Sequence, residues 1–384
     1  MIKIEPYTGF EQGPIRPPSE AGSLLIRITR NCPWNRCTFC PVYKGTKFSL
    51  RPVDHVLKDI DQVHYYVEVI RHAQGDKGRI PRSEYRRLFQ DGDDMTRQAL
   101  HAAGNFVANG MKSIFLQDGN SLIIKPEDLV RILKHLKKAF PDVDRVTSYA
   151  RSHTIARISD ENLRRIADAG LNRIHIGMES GADKVLKKVR KGSDKATQII
   201  AGQKVKRAKM ELSEYYMPGL GGRKLFRENA RETADALNQI NPDFIRLRTL
   251  ALPDGTPLAE QHKAGNFYKM GDVETSQELL LFLESLKGIT STVKSDHVLN
   301  LLPDVEGTLP DDAEKMAAPV REFLQLNPHE QMVFCIGRRT HCLSRLTDLN
   351  DPLKWRYAEQ RCIDLGATPE NMDTIVDSII KQFI

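Results

Sequence analysis

From about residue 112 onward, hydrophobic positions along the chain switch repeatedly between two periods. Runs with apolar residues at every second position, over 112–117, 145–150, 173–178, 211–217 and 244–250, predict strands. Runs with a 3.6-residue period, over 126–139, 159–169, 194–209 and 224–239, predict the helices between them. Local signals mark several helix ends. Pro126, Glu127 and Asp128 put a proline and two acids in a first turn, Ser159 with Asp160 and Glu161 supplies a cap and acids, and Gly170 is placed to end its helix. A strand over 24–29 comes earlier, after a Pro/Gly-rich lead, and helical patterns over 53–70 and 95–109 bracket a charged stretch.

Strands alternating with helices imply a parallel sheet with right-handed crossovers. Six such units suit a partial (βα)6 TIM-like barrel, and periodicity alone leaves an open doubly wound sheet as the alternative. The expected organisation is a lead over 1–23, a barrel over 24–250 with a helical insertion at about 53–110, and an α-rich extension over 251–384. The extension opens on the turn cluster Pro253-Asp254-Gly255-Thr256-Pro257. A helix over 275–286 and a strand over 289–293 follow.

The chain has 384 residues, 40% hydrophobic and 28% charged, which is the balance of a globular protein with a large core. No apolar run approaches the length of a membrane span, and the first residues carry no apolar signal core, so the expected compartment is the cytoplasm, without membrane partners. A net charge of +7 permits an anionic partner. The basic residues are scattered, at Arg86 and Arg87, Lys134 to Lys138, Lys184 to Lys191 and Lys204 to Lys209, mostly on helical segments where a solvated face explains them.

Chemistry enters with the cysteines. Of six, three lie within nine positions in Arg30-Asn31-Cys32-Pro33-Trp34-Asn35-Arg36-Cys37-Thr38-Phe39-Cys40-Pro41, directly after the first strand. That is the functional end of a parallel βα sheet. Clustered thiols in such a chain point to a metal or to redox chemistry rather than to disulfides. Three thiolates can hold three irons of a cubane cluster and leave the fourth open. A zinc site or a plain electron-transfer cluster would each need a fourth ligand from elsewhere.

At these residues the chain resembles the radical S-adenosylmethionine (SAM) superfamily, with C-x4-C-x2-C in place of the usual C-x3-C-x2-C. The resemblance implies a [4Fe–4S] cluster on Cys32, Cys37 and Cys40, SAM on the open iron, and Phe39 beside the adenine. Asp118-Gly119-Asn120, after the second strand, stands where the family carries a Gly-Gly-Glu-like turn for the methionine amino group. The fourth strand reads Arg173-Ile174-His175-Ile176-Gly177-Met178-Glu179-Ser180-Gly181, with Arg173, His175 and Glu179 on one face. It is similar to the coproporphyrinogen-dehydrogenase and Elongator-type branch, where the Glu and Ser lie near the SAM ribose and methionine. The turn Met217-Pro218-Gly219-Leu220-Gly221-Gly222 is implied to pass near the adenine, with Met217, Gly219, Gly221 and Gly222 as contacts. Arg246 and Arg248 share a face with Phe244 and Leu250, and two buried guanidiniums call for anionic partners: the SAM carboxylate, a substrate anion, or internal acids.

The resemblance covers residues 24–250 and implies reductive cleavage of SAM to a 5′-deoxyadenosyl radical that abstracts hydrogen from a substrate. A reductant such as flavodoxin or ferredoxin would supply the electron, and the substrate is a small molecule or RNA. Absence of D-x-H-x-x-G argues against a cobalamin domain, and the sparse tail cysteines Cys335, Cys342 and Cys362 argue against a peptide maturase. Those three read best as buried apolar groups, with a second cluster or zinc as the alternative. The competing function is a non-catalytic iron–sulfur or zinc scaffold.

Overall fold

The computed structural model describes residues 6–74, 83 and 94–382. Most of the charged stretch before residue 94, including Arg86 and Arg87, lies outside the described residues. The fold is α/β, a partial TIM-like arrangement whose eight-stranded sheet is mostly parallel. By compactness the chain divides into two units. One comprises residues 1–35, 42–176 and 204–211, and the other residues 36–41, 177–203 and 212–384.

In the first unit, β1 (Leu24–Arg27) is followed by a two-residue pair, β2 (Thr29–Arg30) with β3 (Ser49–Leu50). Then come β4 (Ser113–Gln117), β5 (Arg145–Ala150) and the first half of β6 (Arg173–Glu179). β1 pairs parallel with β4, β4 with β5, and β5 with β6, in a register that puts Arg27 opposite Gln117. β1 and β4 are buried almost end to end, as strands covered on both faces must be. The helix Pro126–Ala139 buries Leu129, Ile132, Leu133 and Leu136, the 3,4 spacing of one helical face. Its proline sits in the first turn with Glu127 and Asp128, while Lys137 and Lys138 close the last turn, so both ends suit the helix dipole. Ser159 caps the helix Asp160–Asp168 by accepting from the Asn162 N–H at 3.2 Å. The helices Val53–Gln74 and Asp94–Ala108 supply Val56, Ile60, Val63, Leu100 and Phe106 to the same unit's core.

In the second unit, β7 (Glu211–Tyr216) pairs parallel with β8 (Phe244–Leu247), and β8 with β9 (Thr292–Lys294). In place of the strand expected at 289–293, the strand lies at Thr292–Lys294, and it extends the parallel run by one more member. β10 (Gly307–Thr308) closes it antiparallel. The helix Gly222–Ile240 ends on Asn241 in the left-handed conformation, φ 50°, which asparagine tolerates. The tail is helical: Ala313–Gln325, Pro328–Arg339, Pro352–Asp364 and Met372–Ile380. The basic positions Lys134, Lys137 and Lys138 are exposed on their helix. Among the described residues, no helix is long and apolar enough to cross a membrane.

Candidate functional site

In the first unit the site is built on the ends of β1 and β4. Their register carries Arg27 alongside the turn that follows β4. Arg27 donates from Nε to Asp118 Oδ2 at 2.8 Å and from Nη1 to Glu11 at 2.6 Å. Asp118 is fully buried, and it also accepts from the Asn31 backbone N–H at 3.0 Å and the Tyr43 hydroxyl at 3.1 Å. Both carboxylate oxygens are thus engaged by donors of the chain itself, as a buried charge requires. Asn31, at φ 69°, turns the chain into Cys32. Gly119 packs beside that cysteine: a Cβ on it would lie 3.4 Å from the Tyr43 ring and 3.6 Å from Cys32 Cβ. Asn120 is also engaged, donating to Thr154 Oγ1 at 2.8 Å and accepting from the Arg151 N–H at 3.1 Å.

Three further residues steady this region. Gln117 donates to the Gly13 and Ile15 carbonyls and accepts from the Gly13 N–H, which ties the lead segment to the end of β4. Arg51 bridges the Arg27 carbonyl and Asp59, at 2.9 and 2.6 Å. Tyr43 joins them through Asp118: burial, then the charge of Asp118 and the hydrogen bond to it, push the Tyr43 hydroxyl far up. Cys32 Sγ accepts from the Asn35 N–H at 3.5 Å, and the Trp34 ring lies 4.9 Å under the Arg151 guanidinium.

In the second unit, Cys37 and Cys40 flank a pinned dipeptide. The Thr38 N–H donates to the Val189 carbonyl at 3.0 Å, and the Thr38 carbonyl accepts from the Leu258 N–H at 2.9 Å. Phe39 packs with Met217 against an apolar cluster that includes Val185, Val189, Leu220, Leu250 and Leu258. Two sequence-predicted contacts, one from the cysteine loop and one from the 217–222 turn, therefore meet on one apolar floor.

β6 ends on Glu179 at φ 65°, a conformation costing about 1 kcal/mol for a residue with a Cβ. Its carbonyl accepts from the Met217 N–H at 2.9 Å, and its carboxylate pairs with Lys191 at 3.1 Å. Ser180 is buried and its Oγ accepts from the Ala182 N–H. The next residue, Gly181, is pressed onto the helix behind it, where a Cβ would meet the Glu232 carbonyl at 2.4 Å. Gly219 takes φ 88°, and Gly222 φ 59° against the Phe267 ring. Glycine is required in this turn by the chain's own packing.

Among the described residues, Glu214 and Glu278, both buried in the second unit, form no ion pair. Glu214 on β7 makes no hydrogen bond from either oxygen, and burial pushes its carboxyl well above the usual range, against a smaller lowering by Lys191. Glu278 accepts from Tyr216 Oη and Asn229 Nδ2, each at 2.6 Å, and from the Gly219 N–H at 3.0 Å. Burial still pushes it up to about 7. Arg246, within β8, and Arg248, just beyond its end, both pair with Asp296. Burial opposes the charge on Asp296, but the two guanidiniums hold its carboxyl below the ordinary value. Arg248 also donates to the Leu247 carbonyl, while its Nη2 is buried without a hydrogen-bond partner. His297, beside this cluster, is pushed down to about 4, chiefly by burial and then by Arg248.

The remaining residues of the expected polar face of β6 go elsewhere. His175 is buried, 3.5 Å from Glu20, and Arg173 pairs with Glu211. In the tail, Cys335 and Cys362 are buried, and burial pushes the Cys362 thiol to about 11. Among the described residues, no three His, Cys, Asp or Glu side chains converge where one metal ion could sit. The ligands of a cubane cluster each meet a different iron and do not converge in this way. Cys32, Cys37 and Cys40 are partly exposed thiols, and soft sulfur donors suit iron–sulfur ligation. The donor set therefore fits a cluster.

A parallel α/β sheet with a three-cysteine loop after its first strand defines a class, and the comparison agrees. Residues 26–235, more than half of the chain, match the radical SAM superfamily, and the chain belongs to it. Its cofactors are accordingly a [4Fe–4S] cluster and SAM. Among solved structures it is similar to an archaeal Elp3 of Methanocaldococcus infernus with an N-terminal deletion, at 18% identity over 51% of this chain and 52% of that one, TM-score 0.41. It is also similar to HemN, the coproporphyrinogen III oxidase of Escherichia coli, at 16% identity over 68% and 50%, TM-score 0.43. The cobalamin-dependent SAM radical enzyme OxsB matches at 13% identity over 94% and 54%, TM-score 0.44. The chain thus spans about half the length of these three proteins. No curated protein matches it.

Several residues that shape the site carry no sequence signal. Tyr43 and Arg27 act on Asp118 from 75 and 91 positions away in the chain, and Glu11 holds Arg27 in turn. Glu278 lies mid-helix in a segment without a motif. Lys191 could have been suspected only from Lys191-Gly192 closing a basic run.

Proposed function

We propose that this chain is an enzyme that cleaves SAM reductively to a 5′-deoxyadenosyl radical, which abstracts hydrogen from a substrate. The observation that carries the reading is the cysteine loop: three partly exposed thiols following the end of β1, in a chain of the radical SAM superfamily. When bound, the cluster supplies an electron to the sulfonium, and a C–S bond breaks to leave methionine and the radical.

In this reading Cys32, Cys37 and Cys40 are the ligands. Phe39 and Met217, on their shared apolar floor, face the adenine, with Gly219, Gly221 and Gly222 shaping the turn beside it. Glu179 and Ser180 border the ribose and methionine. Gly119 lets the turn after β4 approach the methionine amino group. Because the side chains of Asp118 and Asn120 are engaged within the chain, backbone carbonyls are the acceptors that turn offers. Arg246 and Arg248 face an anion, the SAM carboxylate or a charged group of the substrate. Two guanidiniums sharing Asp296, one with a bare Nη2, support that role. Their own ion pairs explain their burial in part, and SAM affinity unchanged in both Arg246→Ala and Arg248→Ala would remove the SAM role. A reducing, cytoplasmic compartment suits thiolate ligands and an electron donor of the flavodoxin or ferredoxin kind. The substrate is a small molecule or RNA.

The test is anaerobic reconstitution, then dithionite and SAM. The expected product is 5′-deoxyadenosine, and replacement of all three loop cysteines by alanine should lower it more than about 100-fold with loss of bound iron. An intact cluster that yields no product would replace this reading with a non-catalytic scaffold.

A further inference from the structure

The family match ends at residue 235, yet a residue well beyond it grips the turn at the end of β7. Glu278 lies on the helix Asp272–Ser285 and is fully buried. Its Oε2 accepts from the Gly219 N–H at 3.0 Å, in the middle of the Gly-rich turn. Its Oε1 accepts from the hydroxyl of Tyr216, the last residue of β7, and from Asn229 of the following helix. Asn229 donates in addition to the Met217 carbonyl at 3.2 Å. Beneath this network the Tyr216 ring stacks on Phe282, one turn along from Glu278, with centroids 4.2 Å apart.

One carboxylate therefore ties strand end, turn and the body of the following helix to a helix outside the matched segment. Three donors on two oxygens define the direction of the Gly219 N–H, and through it the path of a turn whose glycines would otherwise leave it loose. Burying an acid without a cation costs stability, so a site that keeps one keeps a geometry that an apolar side chain would not impose.

We infer that Glu278 is a positioning residue for SAM: its carboxylate holds the 217–222 turn in the shape that receives the adenosyl group. The inference rests on the reading that this turn borders SAM. The full chain is reconstituted anaerobically as wild type, Glu278→Gln, Tyr216→Phe and Met217→Ala. Bound iron, the SAM dissociation constant and the rate of 5′-deoxyadenosine formation at saturating SAM are then measured.

Glu278→Gln keeps the side chain's shape but places an amide donor against at least one of the three donors. Its SAM dissociation constant is expected to rise about tenfold, and that of Tyr216→Phe about threefold, the scale of one or two lost hydrogen bonds. Iron content should hold, and the rate at saturating SAM should change less than about twofold, because chemistry follows once SAM is seated. Affinity lost in Met217→Ala but kept in Glu278→Gln overturns the inference and leaves the turn in the SAM site. Affinity kept in both removes the turn from the site, and the inference with it. An equal fall in affinity and saturated rate in Glu278→Gln marks general disruption and also overturns it. If Glu278→Gln does not fold, Tyr216→Phe decides, since it removes one donor and keeps the ring on Phe282; an unchanged affinity there overturns the inference.

Discussion

The acids around the cysteine loop in the first unit and the two buried glutamates, Glu214 and Glu278, at β7 in the second are handled in opposite ways. Asp118 and Asp59 are fully buried, and each contacts an arginine, Arg27 and Arg51 respectively. Asp118 has every donor it needs from the chain. Glu214 and Glu278 are as deeply buried but form no ion pair among the described residues, where Arg248 Nη2 is also buried without a hydrogen-bond partner. Side chains whose charges are matched internally are a rigid support, and they leave thiols and backbone groups as what that region offers a ligand. A region with unmatched polar groups is costly until something occupies it, and that is where ligand contacts are to be sought.

The comparison can be broken most sharply at Asp118. Asp118→Ala leaves Arg27 half-paired and frees the Asn31 N–H, and is expected to cost about 3–5 kcal/mol in anaerobic denaturant unfolding, with loss of bound iron. A cost below about 1 kcal/mol would show that the pairing is not what holds the loop.

Glu278 sharpens it through pH. Its carboxyl is pushed from 4.5 up to about 7, so between those values the native state binds more protons than the unfolded chain. Stability falls as pH rises through this window, by roughly 3 kcal/mol if the whole shift is expressed. Glu278→Gln removes that slope, so the difference in unfolding free energy between wild type and variant should shrink from pH 5 to pH 7.5. His297 contributes the opposite slope, since its pKa is depressed to about 4, and it cancels in the wild-type-minus-variant difference.

Arg248→Ala is a smaller test. Asp296 keeps Arg246, so the expected change in stability is within about 1 kcal/mol in thermal or denaturant unfolding. A large loss would move Arg248 into the matched class. Last, the exposed pair Lys184–Glu228 should not register: Lys184→Ala is expected to leave the unfolding midpoint where it was, because solvent screens surface pairs.

Much of this protein was legible along the chain. The helix Pro126–Ala139 was readable to the residue, because proline, acids and basic residues mark both ends of one apolar stripe. Strands β5 and β6 were readable from their alternation. β8 stops at Leu247 rather than residue 250, although Arg248 and Leu250 still donate to the carbonyls of Tyr216 and Pro218. The cysteine loop itself was legible because residue spacing is a local property. The face of β6 was harder. Alternation grouped Arg173, His175 and Glu179, but Arg173 turns to Glu211, His175 to Glu20, and Glu179, the strand's last residue, takes a left-handed φ.

The sequence by itself determined the alternating elements, the thiol loop and the membership of a class, because periodicity, caps and ligand spacing act over a few residues. Only the tertiary structure decided which polar groups are matched. That Asp118 is engaged by Arg27 and Tyr43, that Glu278 reaches back to Gly219, and that two arginines share Asp296 depend on residues 48 to 91 positions apart in sequence. Charge matching in a buried site is set by distance in space, to which local pattern is blind.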